Sequence, residues 1–239
     1  MIFKFKEFDI NQDKTAMKIG TDSVLLGSWT SINKPYSILD IGTGTGILAL
    51  QLAQRTDAEI IDAIEIEDNA FEQAVENFEH SPWNNRLFCY HASLSEFVNE
   101  IEEKYDLIIS NPPFYTDDYK SVNIQRNLAR LSYSLPFEEL IESVAKLLDK
   151  NGLFSVIIPY KEKELFTKIA NSHNLYLNKV CNVKGNLNSK FKRSLLEFSF
   201  TNKLSVSEEL IIEIKRHKYT KQYINLVKDF YLLKFRTLD

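Results

Sequence analysis

From Ser37 to Asn174, short β-branched apolar runs alternate with amphipathic stretches, and this rhythm restricts what the chain can fold into. Short apolar runs bounded by turn formers read as buried strands, and an apolar period near 3.6 reads as a helix. Strands are expected at Ser37–Ile41, Ile60–Glu65, Leu87–Tyr90, Tyr105–Ser110 and Leu153–Ile158. Between and after them, helices are expected at Gly46–Gln54, Asp68–Glu79, Pro136–Leu148 and Lys161–Asn174, with a short helix before Tyr105. Phe71, Val75 and Phe78 fall on one face of the second of these. The rhythm changes after residue 174, where Leu175–Val183 and Leu195–Thr201 read as consecutive strands joined by a polar loop. Strand–helix alternation builds βαβ units. The expected fold is therefore α/β, a mostly parallel sheet with helices on both faces and a terminal antiparallel hairpin. Ahead of it, Phe3, Phe5 and Phe8 alternate as in a hairpin arm, and Thr21 is placed as a helix N-cap. Behind it come a short apolar segment, Leu210–Ile214, and a helix at Thr220–Leu233. One domain, 1–239, is expected, made of an N-terminal extension (1–36), an α/β core (37–201) and a basic C-terminal segment (202–239).

Two motifs fall at carboxyl ends of expected strands, the edge where open α/β sheets hold their ligands. Asp40-Ile41-Gly42-Thr43-Gly44-Thr45-Gly46 closes one strand and opens a helix. Its glycines permit a tight turn and close approach of backbone to a ligand. A dinucleotide loop would need its third glycine at 47, which is Ile47, so the G-x-G-x-x-G spacing is not met. Glu65 ends the next strand, where a carboxylate can accept both hydroxyls of a ribose. After the third strand the chain reads His91-Ala92-Ser93, which sets backbone and a hydroxyl on the same edge of the sheet. The second motif, Asn111-Pro112-Pro113-Phe114, forms a rigid rim with a side-chain amide, two ring-locked residues and an aromatic. Prolines offer carbonyls and no N–H, so the rim suits a planar amine that donates and a ring that stacks. A plain Asn-Pro turn is the alternative for the tetrapeptide alone.

The net charge of −4 is unevenly spread. Residues 184–239 carry 12 Lys/Arg against 6 Asp/Glu, and residues 1–183 carry 17 against 27. Such asymmetry fits a polyanion-facing surface or a solvated basic face about equally. Lys190, Lys192 and Arg193 in the loop before Leu195, and Arg126 and Arg130 in the aperiodic 115–133 stretch, are candidate phosphate contacts. Cys89 and Cys181 sit in apolar settings with no metal-ligand spacing, so no metal is expected and a reducing compartment is. Lys4, Lys6, Glu7 and Asp9 interrupt the first ten residues, no run approaches membrane-spanning length, and a cytoplasmic monomer without a membrane is expected.

Met17-Lys18-Ile19-Gly20-Thr21-Asp22 with Val24-Leu25-Leu26-Gly27, Ser81-Pro82-Trp83, Arg126-Asn127-Leu128-Ala129-Arg130 and Asp229-Phe230-Tyr231-Leu232 span nearly the whole chain. Together they resemble the bacterial tRNA (adenine-N6)-methyltransferases acting on a valine tRNA. The glycine loop and the Asn-Pro-Pro-Phe rim by themselves resemble only the wider class I methyltransferase superfamily, with its Rossmann-like sheet and late strand hairpin. The resemblance implies methylation of adenine-37 beside the anticodon, with S-adenosylmethionine (SAM) as methyl donor. It implies that Asp40, Gly42, Gly44, Gly46 and Glu65 hold SAM together with Asn111, that Thr21 lies near its methionine part, and that Asn111, Pro112, Pro113 and Phe114 hold the base; where the family usually has an acidic residue for the adenine of SAM, this chain offers the backbone of Ala92 and the hydroxyl of Ser93. Lys18 is assigned no role. An rRNA base or a protein glutamine amide, also planar, is the alternative acceptor, and a non-catalytic RNA-binding factor is the alternative class.

Overall fold

Each strand of the central sheet places alternate side chains on opposite faces, and the core is split accordingly. In the computed structural model, which describes residues 2–113 and 135–232, β3 (Ser37–Ile41), β4 (Ile60–Glu65), β5 (Leu87–His91), β6 (Tyr105–Ser110) and β7 (Leu148–Pro159) form a parallel sheet in the order β7-β6-β3-β4-β5. Ile38, Leu107, Ile109, Leu153 and Ile157 belong to one core, while Leu39, Ile41, Ile108, Phe154 and Ile158 belong to the other. Burial on both faces explains why these strands read as continuous apolar runs. The intervening helices are α2 (Ile47–Arg55), α3 (Asp68–Glu79), α4 (Leu94–Glu100) and α5 (Phe137–Leu147). A 3-10 turn at Tyr160–Glu162 leads into α6 (Lys163–Ser172).

The expected hairpin is β8 (Tyr176–Asn186) and β9 (Arg193–Ser199), with β9 antiparallel to both β7 and β8. It is not terminal. Leu210–Ile214, expected only as an apolar segment, lies within β10 (Val206–Lys215), which pairs parallel to β8 and carries β11 (Lys218–Tyr219) at the edge. Only Leu210 of β10 is fully buried, so the strand shows little alternation to a reader of the sequence. Residues of the basic C-terminal segment thus extend the same sheet.

The first and the last described segments pack together. β1 (Ile2–Lys4) and β2 (Asp9–Asn11) form the anticipated hairpin, and Phe5 bridges Tyr231 with stacked rings 5.9 Å apart. The C-terminal helix, α7 (Lys221–Val227), is shorter than expected and is capped by Thr220, whose Oγ1 accepts from Tyr223 N. Tyr223, Val227 and Phe230 are buried, each such burial contributing about 1.5–3 kcal/mol. This packing accounts for Phe230 and Tyr231 of the closing motif. After β2 the chain is pinned to α3, with Asn11 N donating to Asn77 Oδ1 at 2.8 Å and Lys14 N to Gln73 Oε1 at 3.0 Å. Asn77 Nδ2 also donates to the Thr45 carbonyl, so one side chain joins the N-terminal arm to the glycine loop.

The first helix, α1 (Thr21–Trp29), begins one residue earlier than an N-cap at Thr21 would allow. Gly20 holds the extended cap conformation, Thr21 is already helical, and no side chain caps the end. The helix is buried from Val24 to Trp29 and lies against α2. Gly27 makes that approach possible, since a β-carbon there would stand 3.1 Å from Cβ of the fully buried Gln51 and closer still to its amide. No helix among the described residues is long and apolar enough to cross a membrane. Gly27→Ala should destabilise the fold by roughly 1–3 kcal/mol through overpacking, read as a lower melting temperature.

Candidate active site

β3 is flanked by β4 on one side and β6 on the other, and the chain leaves those two neighbours on opposite courses. Such a switch point leaves a crevice at the carboxyl ends of the strands. A cavity of about 370 Å³ lies there, lined by Gly42–Thr45, Ile47 and Leu48 of the loop and α2, Asn111 and Pro112 beyond β6, Ala16–Gly20, Asp22 and Ser23 at the start of α1, and Arg193 of β9.

Three glycines shape the loop, and they do different things. Gly42, Gly44 and Gly46 have φ of 70°, 60° and 82°, in the left-handed region that favours glycine. At Gly42 and Gly44 a β-carbon would meet nothing within 4 Å, so these two leave open space beside the cavity. At Gly46 it would lie 2.5 Å from Cε1 of Phe78, so Gly46 serves the contact between the loop and α3 and does not line the cavity. The open backbone at 42–44 suits the close approach of SAM, and the residues present fit that cofactor.

Two carboxylates hold the loop from beneath. Glu65 Oε2 accepts from Gly44 N at 2.8 Å, and its Oε1 accepts from Ile66 N and Glu67 N. One lone-pair direction of the four remains for a ribose hydroxyl. Asp40 is wholly buried, and its Oδ2 accepts from Thr43 Oγ1 at 2.5 Å and Ala49 N at 3.3 Å. It braces the loop and does not reach the cavity lining. Its Oδ1 has no hydrogen-bond partner among the described residues. Burial pushes the Asp40 carboxyl up to about 7, the Thr43 and Ala49 hydrogen bonds pull it down, and the charge of Glu65 raises it further.

The wall opposite the loop is built by residues 12–23. Lys18 Nζ donates to the carbonyls of Gln12 and Thr15, which tightens this turn and gives Lys18 a structural task. Arg193 Nε donates to Asp22 Oδ2 at 2.7 Å, tying the first turn of α1 to β9. Arg193 therefore faces the cavity and not the outer basic loop with which it was grouped. Lys190 and Lys192 are exposed in that loop, which rises beside the carboxyl end of β7, where Pro159 pairs with Arg193. Asn111 Nδ2 donates to Ser23 Oγ at 2.9 Å, and Ser110 Oγ donates to the Ile41 carbonyl at 2.9 Å.

The remaining candidates separate. Thr21 adjoins the cavity-lining Gly20 and Asp22 without lining it, and Pro113, next along the rim after Pro112, does not line it either. Ala92 N donates to the Glu65 carbonyl, and Ser93 caps α4, its Oγ accepting from Glu96 N and donating to Glu96 Oε2 at 2.6 Å. That capping box occupies the hydroxyl considered for adenine. His91 is stacked on Phe71 and paired with Asp68 at 3.0 Å, a surface contact. Phe114, Arg126 and Arg130 lie outside the described residues. Burial pushes Cys89 and Cys181 up to about 12, so both thiols stay protonated, and among the described residues no group of three His, Cys, Asp or Glu side chains could hold a metal ion.

Residues 16–167 match the methyltransferase small domain family. The chain is 58% identical over 234 residues to a tRNA1(Val) (adenine(37)-N6)-methyltransferase of Flavobacterium johnsoniae, covering 97% of this chain and 99% of that one. In fold it is similar to a predicted O-methyltransferase from Agrobacterium tumefaciens (TM-score 0.66, 17% identity, 87% of this chain and 96% of that one). It is also similar to M. jannaschii TYW2 solved with AdoMet (TM-score 0.54, 15% identity, 82% and 84%).

Folded Asp40 keeps a proton that the unfolded chain releases near 3.8, so the folded state loses relative stability as pH rises from there through about 7. Asp40→Asn removes this titration. The wild type's melting temperature minus the variant's should fall across that window, by the equivalent of a few kcal/mol at most; parallel curves would contradict the assignment.

Proposed function

The chain belongs to the methyltransferase small domain family, among the tRNA1(Val) (adenine(37)-N6)-methyltransferases, and on that footing we propose that it methylates N6 of adenine-37 beside the anticodon of a valine tRNA. It is a SAM-dependent methyltransferase. The observation that carries the reading is that one cavity joins an open glycine backbone to a rim of hydrogen-bond acceptors.

When bound, SAM supplies an electrophilic methyl on a sulfonium sulfur that departs as a neutral thioether. The protein's task is to make a poor nucleophile usable, because the amine lone pair of adenine is delocalised into the ring. Asn111 Oδ1 and the Pro112 carbonyl accept the two N–H groups of the amine and draw its nitrogen toward a tetrahedral shape. The lone pair is thereby localised for attack on the methyl, and the cationic nitrogen left by N–C bond formation and loss of the thioether releases one proton to solvent water. Pro112, lacking an N–H, presents no competing donor. Phe114 stacks on a base that must leave its own stack to enter, as for other enzymes that act on nucleobases. Alignment supplies most of the acceleration.

Asp40, Gly42, Gly44, Glu65 and the Gly20–Asp22 turn hold the cofactor, Asp40 by bracing the loop and the glycines by admitting the ligand. Lys190 and Lys192 rise on the same edge of the sheet as the rim and meet phosphates, with Arg126 and Arg130 assigned the same task. Arg193 fixes α1. A tRNA substrate and the free thiols of Cys89 and Cys181 are in keeping with the cytoplasm.

Purified protein with tritiated SAM and total tRNA from a strain lacking the activity should place label in N6-methyladenosine of one valine tRNA. Label in rRNA or in protein glutamine would move the reading to those acceptors. In the same assay Asn111→Ala should abolish transfer, a loss on the order of 100-fold or more, while SAM affinity stays nearly intact. Loss of SAM binding would undo that division of labour. Lys190→Ala with Lys192→Ala should weaken tRNA binding and make its log–log salt dependence shallower by about 1–2; an unchanged slope returns both lysines to a merely solvated surface.

A further inference from the structure

Asn111 is a rim residue whose chemistry depends on which way round its side chain sits. Turning the amide by half a revolution exchanges an acceptor for a donor with almost no change in shape. Packing therefore cannot select the orientation, and hydrogen bonds must. Nδ2 donates to Ser23 Oγ at 2.9 Å, and among the described residues no donor reaches Oδ1. Ser23 is the third residue of α1, it lines the same cavity as Asn111 and Pro112, and the Asp22–Arg193 pair one residue earlier fixes the turn that carries it.

We propose that Ser23 is a positioning residue for methyl transfer: by accepting from Asn111 Nδ2 it directs Oδ1 toward the amine of the target base. The inference rests on the methyl-transfer reading above. A serine hydroxyl can donate as well as accept, so without substrate it would hold either orientation of the amide. The arriving amine breaks the tie. Its N–H groups need acceptors, and only with Oδ1 turned toward the base are the amine, Asn111 and Ser23 all satisfied together. Remove the hydroxyl and Nδ2 loses its acceptor in the productive orientation, while the reversed orientation sets one N–H against another. The productive arrangement is then sampled less often, which lowers turnover without touching the glycine loop.

Thr and Val have nearly the same shape, and only Thr keeps the hydroxyl, so the pair Ser23→Thr and Ser23→Val separates hydrogen bonding from packing. Melting temperature, SAM dissociation constant by calorimetry, and kcat on a valine tRNA transcript at saturating SAM are read for both. Ser23→Val should lose about 10- to 100-fold in kcat, roughly 1.4 kcal/mol per tenfold, with SAM affinity within about twofold of wild type. Ser23→Thr should recover most of that loss and melt with its partner. Should the valine branch prevent folding, Ser23→Ala removes the hydroxyl without adding bulk and is held to the same outcome. Equal kcat in the Thr and Val variants, or a kcat loss matched by lost SAM affinity, overturns the inference while leaving the methyl-transfer reading standing. A wild type that methylates no RNA overturns both.

Discussion

The hydrogen bond from Ser110 Oγ to the Ile41 carbonyl fastens the end of β6 to the end of β3, and the rest of the site is arranged around that seam. On one side of it the chain turns into Gly42 and the loop; on the other it turns into Asn111 and Pro112. Both turns leave the sheet from adjacent strands, so a group held against the loop lies within reach of the rim. The order of the strands creates the crevice, and this bond fixes the spacing of its two lips.

Preorganisation of the loop comes from two carboxyl groups that hold it from beneath. Asp40 is buried, its carboxyl pushed up to about 7, and Glu65 spends most of its carboxylate on the backbone of Gly44, Ile66 and Glu67. Held this way, the loop needs no rearrangement when a ligand arrives, and the cost of ordering it is met during folding. The N-terminal arm has the same character. Lys18 tightens the turn, Asn77 links the arm to Thr45, and Phe5 stacks on Tyr231 from beyond α7. One wall of the cavity is consequently built by residues 16–23 of the N-terminal extension, facing the glycine loop of the core.

Local chemistry was readable and distant pairing was not. The parallel strands declared themselves through β-branched apolar runs, and the loop through glycines that the structure shows at positive φ. Gly46 looked like its neighbours in sequence, yet its constraint is Phe78, which only folding brings within reach. Thr21 had the right residue type for a cap, but the preceding Gly20 holds the extended cap conformation and Thr21 is already helical. β10 stayed hidden because glutamates interrupt its apolar residues and only its partnership with β8 makes it a strand. Ser23 and Asn111, 88 residues apart, and Asp22 and Arg193, 171 apart, carry no mark of each other in the sequence. No motif announces a serine whose importance is the atom it faces.

The central claim is that the two carbonyl oxygens of the rim, one from a side chain and one from backbone, select and aim an exocyclic amine. A crystal structure with S-adenosylhomocysteine and the anticodon stem-loop of the valine tRNA tests it most directly. The account predicts an unstacked adenine whose amine lies within hydrogen-bond distance of both Asn111 Oδ1 and the Pro112 carbonyl, with its nitrogen facing the sulfur. An adenine seated away from the rim, or one met by Asn111 Nδ2, would contradict it.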